Sequence, residues 1–230
     1  MNHSESTGNE TKQVVDLTAQ LVRTPSVLGN ERDVAQIVID RMRQLGFDQA
    51  GVDEAGNAIG VIQGSGDGPT LVLDGHVDTV DVMPREAWKH DPFGTEIVGD
   101  RMYGRGTSDM KGAVAAMICA AAGLDRGALR GKVVVSASVG EEWVEGAALR
   151  RVLEQHPADY VVIGESSDLN VVFGGRGRAE FKLTTHGTPS HASTPHLGEN
   201  AIHKMTAVIR EVERIAVPAE SVVGPGVMAL

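Results

Sequence analysis

Acidic side chains and one histidine fall where three short apolar runs end. Leu71-Val72-Leu73 leads into Asp74-Gly75-His76-Val77-Asp78, Val133-Val134-Val135 leads on to Gly140-Glu141-Glu142, and Tyr160-Val161-Val162-Ile163 leads into Gly164-Glu165. A fourth stretch, Gly104-Arg105-Gly106-Thr107-Ser108-Asp109-Met110-Lys111-Gly112, is a Gly-rich loop that holds Asp109. One imidazole and three or four carboxylates are suitable ligands for zinc or a similar divalent ion. Without cations, so many negative groups within a few ångströms would repel one another and partly protonate. Asp78, two residues past His76, is placed to hold the other imidazole nitrogen and fix its tautomer. Neighbouring Glu141 and Glu142 point to opposite sides of an extended backbone, so one can bind metal while the other faces a water as general base. The residues alone do not say which does which.

Each signal has a plain alternative when taken singly. A His-x-Asp can be a solvated loop, paired glutamates ahead of a helix can serve its dipole, and Glu165 can close a strand end. The Gly-rich loop lacks the Gly-Lys-Ser/Thr ending of a phosphate loop. The combination points to a metal centre, because all three acidic groups follow strands and an aspartate loop lies between them.

The elements that must position these residues read as an α/β fold. Val14, Leu17, Leu21 and Val22 have helical spacing over 13–23. A second helix starts from a cap at Asn30, carries Val34, Ile37, Val38, Met42 and Leu45 on one face, and stops at Gly46. Strands are expected at 58–62 and 70–73, with a hairpin at 95–103 turning on Gly99-Asp100. A small-residue helix over 113–124, a buried strand at 132–139, a helix over 144–155 and a strand at 160–163 follow. This alternation predicts a mostly parallel sheet flanked by helices, whose strands bring their carboxyl ends to one edge. Beyond 174 the texture changes: Ala179, Phe181 and Leu183 alternate with polar residues in a half-wet strand over 178–185, and a helix spans 199–215. The expected organisation is a disordered tail over 1–12, a metal-binding catalytic domain over 13–174, and a smaller α+β domain begun over 175–230.

Composition narrows the function. The 230 residues are 41% hydrophobic, with 21 basic against 31 acidic side chains and a net charge of −10. A chain this acidic lacks the basic face that nucleic acid requires. No apolar run approaches the roughly 20 residues that cross a bilayer, the polar start has no signal-peptide core, and the one cysteine, Cys119, permits no intrachain disulfide. The expected setting is the cytoplasm, without membrane or nucleic-acid partners.

The motifs quoted above, Leu73 to Val80, Gly104 to Gly112, Gly140-Glu141-Glu142 and Ile163-Gly164-Glu165, resemble those of the dinuclear zinc amidohydrolases and metallopeptidases. That family includes aminoacylases, glutamate carboxypeptidase, acetylornithine deacetylase and succinyl-diaminopimelate desuccinylase. A weaker likeness, through Gly175 to Glu180, is to poorly characterised hydrolases associated with selenium metabolism. The resemblance implies a zinc-exopeptidase-like fold holding two Zn2+ ions, with Co2+ or Mn2+ as alternatives. It implies that His76 and Glu165 bind one metal, Glu142 the second, and Asp109 both, with a cis peptide before Met110. Asp78 would orient His76, and Glu141 would be the general base. Gly187-Thr188-Pro189-Ser190-His191-Ala192 is similar to the start of the family's lid and dimerisation domain, where His191 would reach a partner subunit's oxyanion in a homodimer. The implied substrates are N-acyl amino acids or small peptides. Family members run well beyond 230 residues and add a late histidine ligand, so the chain is expected to be a truncated member. The alternative expectation is a catalytically inactive metal-binding remnant.

Overall fold

Apolar residues at helical spacing build two N-terminal helices in the computed structural model, which describes residues 3–172, 174–217, 219 and 224–229, with side chains from residue 8 onward. Helix α1 (His3–Arg23) buries Leu17, Leu21 and Val22, and α2 (Arg32–Gln44) buries Val34, Ala35, Val38, Ile39 and Met42. The tail expected over 1–12 is therefore helical from His3; Met1 and Asn2 lie outside the described residues. Asn9, Glu10, Thr11 and Lys12 stay exposed, but a helix nucleated by packing extends at the gain of one hydrogen bond per residue. Glu31, not Asn30, precedes the first turn of α2, and its carboxylate accepts the Gly29 N–H at 2.9 Å. Gly46 ends that helix in the left-handed region, at φ 80°.

The main sheet is mixed. Strands β1 (Gln49–Val52) and β2 (Ala58–Gln63) form a hairpin, β3 (Gly66–His76) follows, and β4 (Glu96–Val98) with β5 (Arg101–Tyr103) make the separate hairpin expected around Gly99-Asp100. Helix α3 (Gly112–Ala122) leads to β6 (Arg130–Ser138), and α4 (Ala147–Gln155) leads to β7 (Tyr160–Ile163). The strand order is β1-β2-β6-β3-β7. Strand β3 is parallel to β6 and β7, whereas β1, β2 and β6 pair antiparallel in turn. Strand β1 escaped the sequence reading because Gln49-Ala50-Gly51-Val52 is only four residues long, with a glycine and a single β-branched side chain.

Helices cover both faces, as the α/β pattern requires. On one face Leu17, Leu21, Val38, Met42, Val114 and Ile118 meet Val133 and Val135; on the other, Val152 of α4 meets Ile59, Val61, Val72 and Val134. Successive valines of β6 thus point to opposite cores. Each contributes about 1.5–3 kcal/mol by leaving water.

Unit boundaries differ from expectation. The chain divides into compact units at Met1–Asp168 and Leu169–Leu230, ahead of the boundary expected after Gly174. In the second unit, α5 (Ala201–Val212) is capped by Asn200, whose side chain accepts the N–H groups of Ile202 and His203 at 2.8 and 3.3 Å. The half-wet strand expected at 178–185 does not form; among the described residues this unit has one isolated bridge, Thr188 with Glu199. An extended segment becomes a strand only where another strand lies in register with it, and among the described residues no strand does. The begun α+β domain is, in its described residues, the helix α5 and a short 3-10 turn at Pro195–Leu197 joined by irregular chain.

The site's framework depends on one close approach. A Cβ at Gly75 would lie 2.7 Å from Met110 Cε, 2.9 Å from Val114 Cγ2 and 3.0 Å from Met117 Cε. Glycine there lets α3 and the loop before it lie flush on β3. We expect Gly75→Ala to cost about 1–3 kcal/mol by overpacking, read as a lower urea midpoint at unchanged slope. An unaltered midpoint would show that the helix can step back freely.

Candidate metal centre

The centre forms where the strand order reverses. From β3 the chain crosses through α3 to β6 on one side, then through α4 to β7 on the other. The crevice at the carboxyl ends of such strands is where α/β sheets bind ligands. His76, the last residue of β3, is 2% exposed. Its Nδ1 donates to the Asp78 main-chain carbonyl at 2.9 Å, which leaves the lone pair of the neutral ring on Nε2. Facing Nε2 are Asp109 Oδ1 at 3.0 Å, Glu165 Oε1 at 3.6 Å and Glu141 Oε2 at 3.8 Å. Ligand atoms of His76, Asp109 and Glu142 lie within 4.8 Å of one another, as do those of His76, Glu141 and Glu165. The expected metal-ligating residues therefore meet, together with the expected base.

Asp109 is delivered by an irregular turn at 107–111. It opens on Gly106 at φ 85°, and the Lys111 N–H returns to the Gly106 carbonyl at 2.9 Å. The Asp109-Met110 peptide is cis, as the resemblance implies. Met110 is buried beneath it, and the buried Lys111 ammonium donates to the carbonyls of Leu21 and Thr24, both at 2.9 Å. The turn is thereby tied to the end of α1. Ser166 Oγ donates to the Ser108 carbonyl at 2.9 Å, holding the Glu165 strand end against the Asp109 turn.

Two expectations change. The Asp78 carboxylate does not hold the imidazole: its Oδ1 is 3.7 Å from Nδ1, and the main-chain carbonyl takes that bond. The carboxylate is instead fully buried and accepts the N–H groups of Glu141 and Glu142 at 3.2 and 3.0 Å. Nor do Glu141 and Glu142 diverge. Gly140 at φ 71° starts a turn there, not an extended strand, so both carboxylates reach the cluster.

Sequence reasoning also missed the layer behind His76. Asp74 is buried and accepts hydrogen bonds from Ser136 Oγ and, at 2.7 Å, Ser138 Oγ. The signal was present in the spacing, since Ser136 and Ser138 stand two apart on β6 and register with Asp74 and His76. His191 lies in the second unit, exposed. The Ser193 N–H donates to its Nδ1 at 3.2 Å, which leaves Nε2 to carry the proton.

Electrostatics fit a cation. Burial raises Glu141 to about 6, with His76 opposing and the charges of Glu165, Glu145 and Asp78 adding. Burial also raises Glu165, opposed by His76 and reinforced by Asp109. For His76, burial alone would lower the pKa. The Asp78 carbonyl and the fields of Asp78, Glu165 and Glu141 outweigh it, and the net shift is upward. Protons are favoured where these groups meet, and nitrogen-plus-carboxylate donors equally suit a divalent ion.

The fold is a helix-flanked α/β sheet, and its donor set suits a divalent ion. Residues 72–228 match peptidase family M20/M25/M40, and the chain belongs to that family. The matched stretch contains His76, Asp78, Asp109, Glu141, Glu142, Glu165 and His191. The chain is 33% identical over 201 residues to the uncharacterized protein YgeY of Escherichia coli K12, covering 85% of this chain and 49% of that protein. It thus spans about half the length of the curated relatives it matches. An M20 family metallo-carboxypeptidase from Sulfolobus solfataricus shares the fold at a TM-score of 0.54 and 24% identity, over 71% of this chain and 37% of that one. So does the YXEP protein of Bacillus subtilis, a dinuclear metal binding peptidase, at 0.51 and 19%, over 68% and 43%. Among the described residues no helix is long and apolar enough to cross a membrane.

The raised carboxyl pKa has a measurable consequence in the metal-free chain. Between pH 4.5 and about 6 the folded state holds a proton on Glu141 that the unfolded chain has released. Stability must therefore fall as pH rises through that window. Glu141→Gln should flatten this segment of a melting-temperature profile, whereas an unchanged profile would mean that Glu141 is not raised.

Proposed function

We propose that the protein hydrolyses amide bonds of N-acyl amino acids or small peptides with the help of two divalent ions. His76, Asp109, Glu142 and Glu165 would hold the ions, zinc first and cobalt or manganese as alternatives. The observation that carries this reading is the meeting of four carboxylates around the Nε2 of one buried imidazole. Ions bound there supply Lewis acidity, polarising a carbonyl and acidifying water from a pKa of about 15.7 toward about 7.

The chain's own residues do the rest. Glu141, half-buried with its Oε2 3.8 Å from the His76 Nε2, lies beside the cluster where a general base must stand. It takes the proton from the attacking water and returns it to the departing amine. The Asp78 carbonyl keeps His76 in the tautomer that offers Nε2 to a metal. His191 of a second copy, with its proton on Nε2, would donate to the developing oxyanion of a homodimer's neighbouring site. Peptide substrates agree with the neighbour described as a carboxypeptidase. A lone cysteine suits a reducing compartment, and we place the protein in the cytoplasm.

One observation favours a second reading. Both candidate ligand groups draw on the same histidine among the described residues, which suits a remnant that binds one ion and turns nothing over. Metal counting after zinc equilibration, with hydrolysis of an N-acetyl amino acid and a dipeptide, separates the two. Two ions per chain with turnover is the expected result; one weakly held ion without turnover favours the remnant. Glu141→Gln should keep the metal and lower turnover by about 10²–10⁴-fold. Undiminished turnover would overturn the base assignment.

A further inference from the structure

We propose that Asp78 is a positioning residue that couples the two halves of the site, its carbonyl setting His76 and its carboxylate setting the Glu141-Glu142 turn. The inference rests on the reading of Glu141 as base and Glu142 as ligand, and adds what holds them in place. A carboxylate acting on the imidazole would need to reach Nδ1, but that nitrogen is already bonded to the carbonyl at 2.9 Å and the nearest carboxylate oxygen is 3.7 Å away. Both carboxylate oxygens are used elsewhere, Oδ1 on the Glu141 N–H at 3.2 Å and Oδ2 on the Glu142 N–H at 3.0 Å.

The local chain is built for this. Gly140 in the left-handed region turns two successive N–H groups toward one point, a concavity that binds an anion. The Val144 N–H closes the turn onto the Gly140 carbonyl at 3.1 Å. Asp78 is fully buried, and the buried Lys111 ammonium, tied to Leu21 and Thr24, lies within its electrostatic reach. The negative charge of Asp78 is thus satisfied by the main chain of the very residues that carry the next two carboxyl groups. A shift of that turn moves base and ligand together, while His76 keeps its own support.

Hydrogen exchange on the metal-free chain tests the clamp without reference to activity. In the wild type the Glu141 and Glu142 amides should exchange at least tenfold more slowly than those of exposed turns. Unprotected amides there would overturn the proposal whether or not any variant folds. In Asp78→Asn, which keeps the main-chain carbonyl, one acceptor oxygen and nearly the same volume, at least one of the two amides, the one left facing the new NH2 group, should lose at least tenfold protection. The ring 15N shifts of His76 should stay those of the Nδ1–H form. A moved ring tautomer with amide protection kept would return Asp78 to the imidazole and sink the clamp. If the clamp holds and the zinc-loaded wild type hydrolyses nothing, the hydrolase reading fails while the positioning role stands.

Discussion

Everything at this centre depends on what lies between the Nε2 of His76 and the carboxylates that face it. The ring's other nitrogen is committed to a carbonyl, which can only accept, so a neutral His76 turns a lone pair toward Asp109 at 3.0 Å. Lone pair and carboxylate repel unless a positive particle sits between them. A proton satisfies the pair at the expense of raised pKa values; a divalent ion satisfies all of the facing oxygens together. Protons and a divalent ion would therefore compete for the same atoms.

The core is organised to make that crowding tolerable. Strand β3 is parallel to β6 and β7, and both neighbours deliver acidic groups to the edge where β3 delivers His76. Glycine at 75 lets α3 and the Asp109 turn seat against the sheet, and buried Met110 and Lys111 anchor that turn from below. Rigid burial keeps the charges close; with looser packing they would part into solvent. The antiparallel pair β1–β2 contributes to the sheet and stands apart from the centre.

Membership of the M20/M25/M40 peptidases agrees with this physical reading, and the solved relatives show the same fold at identities below 25%. What such distant chains share with this one is the fold. The clusters described here show why this chain's arrangement suits metal: the carboxylates come from the Asp109 turn, the Gly140 turn and the end of β7, so the core and not closeness in sequence brings these three pieces together.

Much of this was legible from residue order alone. His76, Asp109, Glu141, Glu142 and Glu165 could be singled out because each follows an apolar run or sits in a Gly-rich turn, and strands at an α/β edge bring such positions together. Strand β7 and the α/β alternation were readable for the same reason: local apolar patterning is a property of the chain itself. Only the folded chain decided the rest. The Asp78 carboxylate bonds residues 63 and 64 positions away, and no local pattern encodes which acceptor wins such a competition. Their adjacency on an extended chain suggested that Glu141 and Glu142 diverge, and the turn at Gly140, left-handed at φ 71°, brings both to the cluster instead. The 178–185 strand failed in the opposite way, its alternation being right for a strand whose hydrogen bonds need a neighbour that does not pair with it here. Local chemistry names the candidates, and long-range hydrogen bonding assigns their partners.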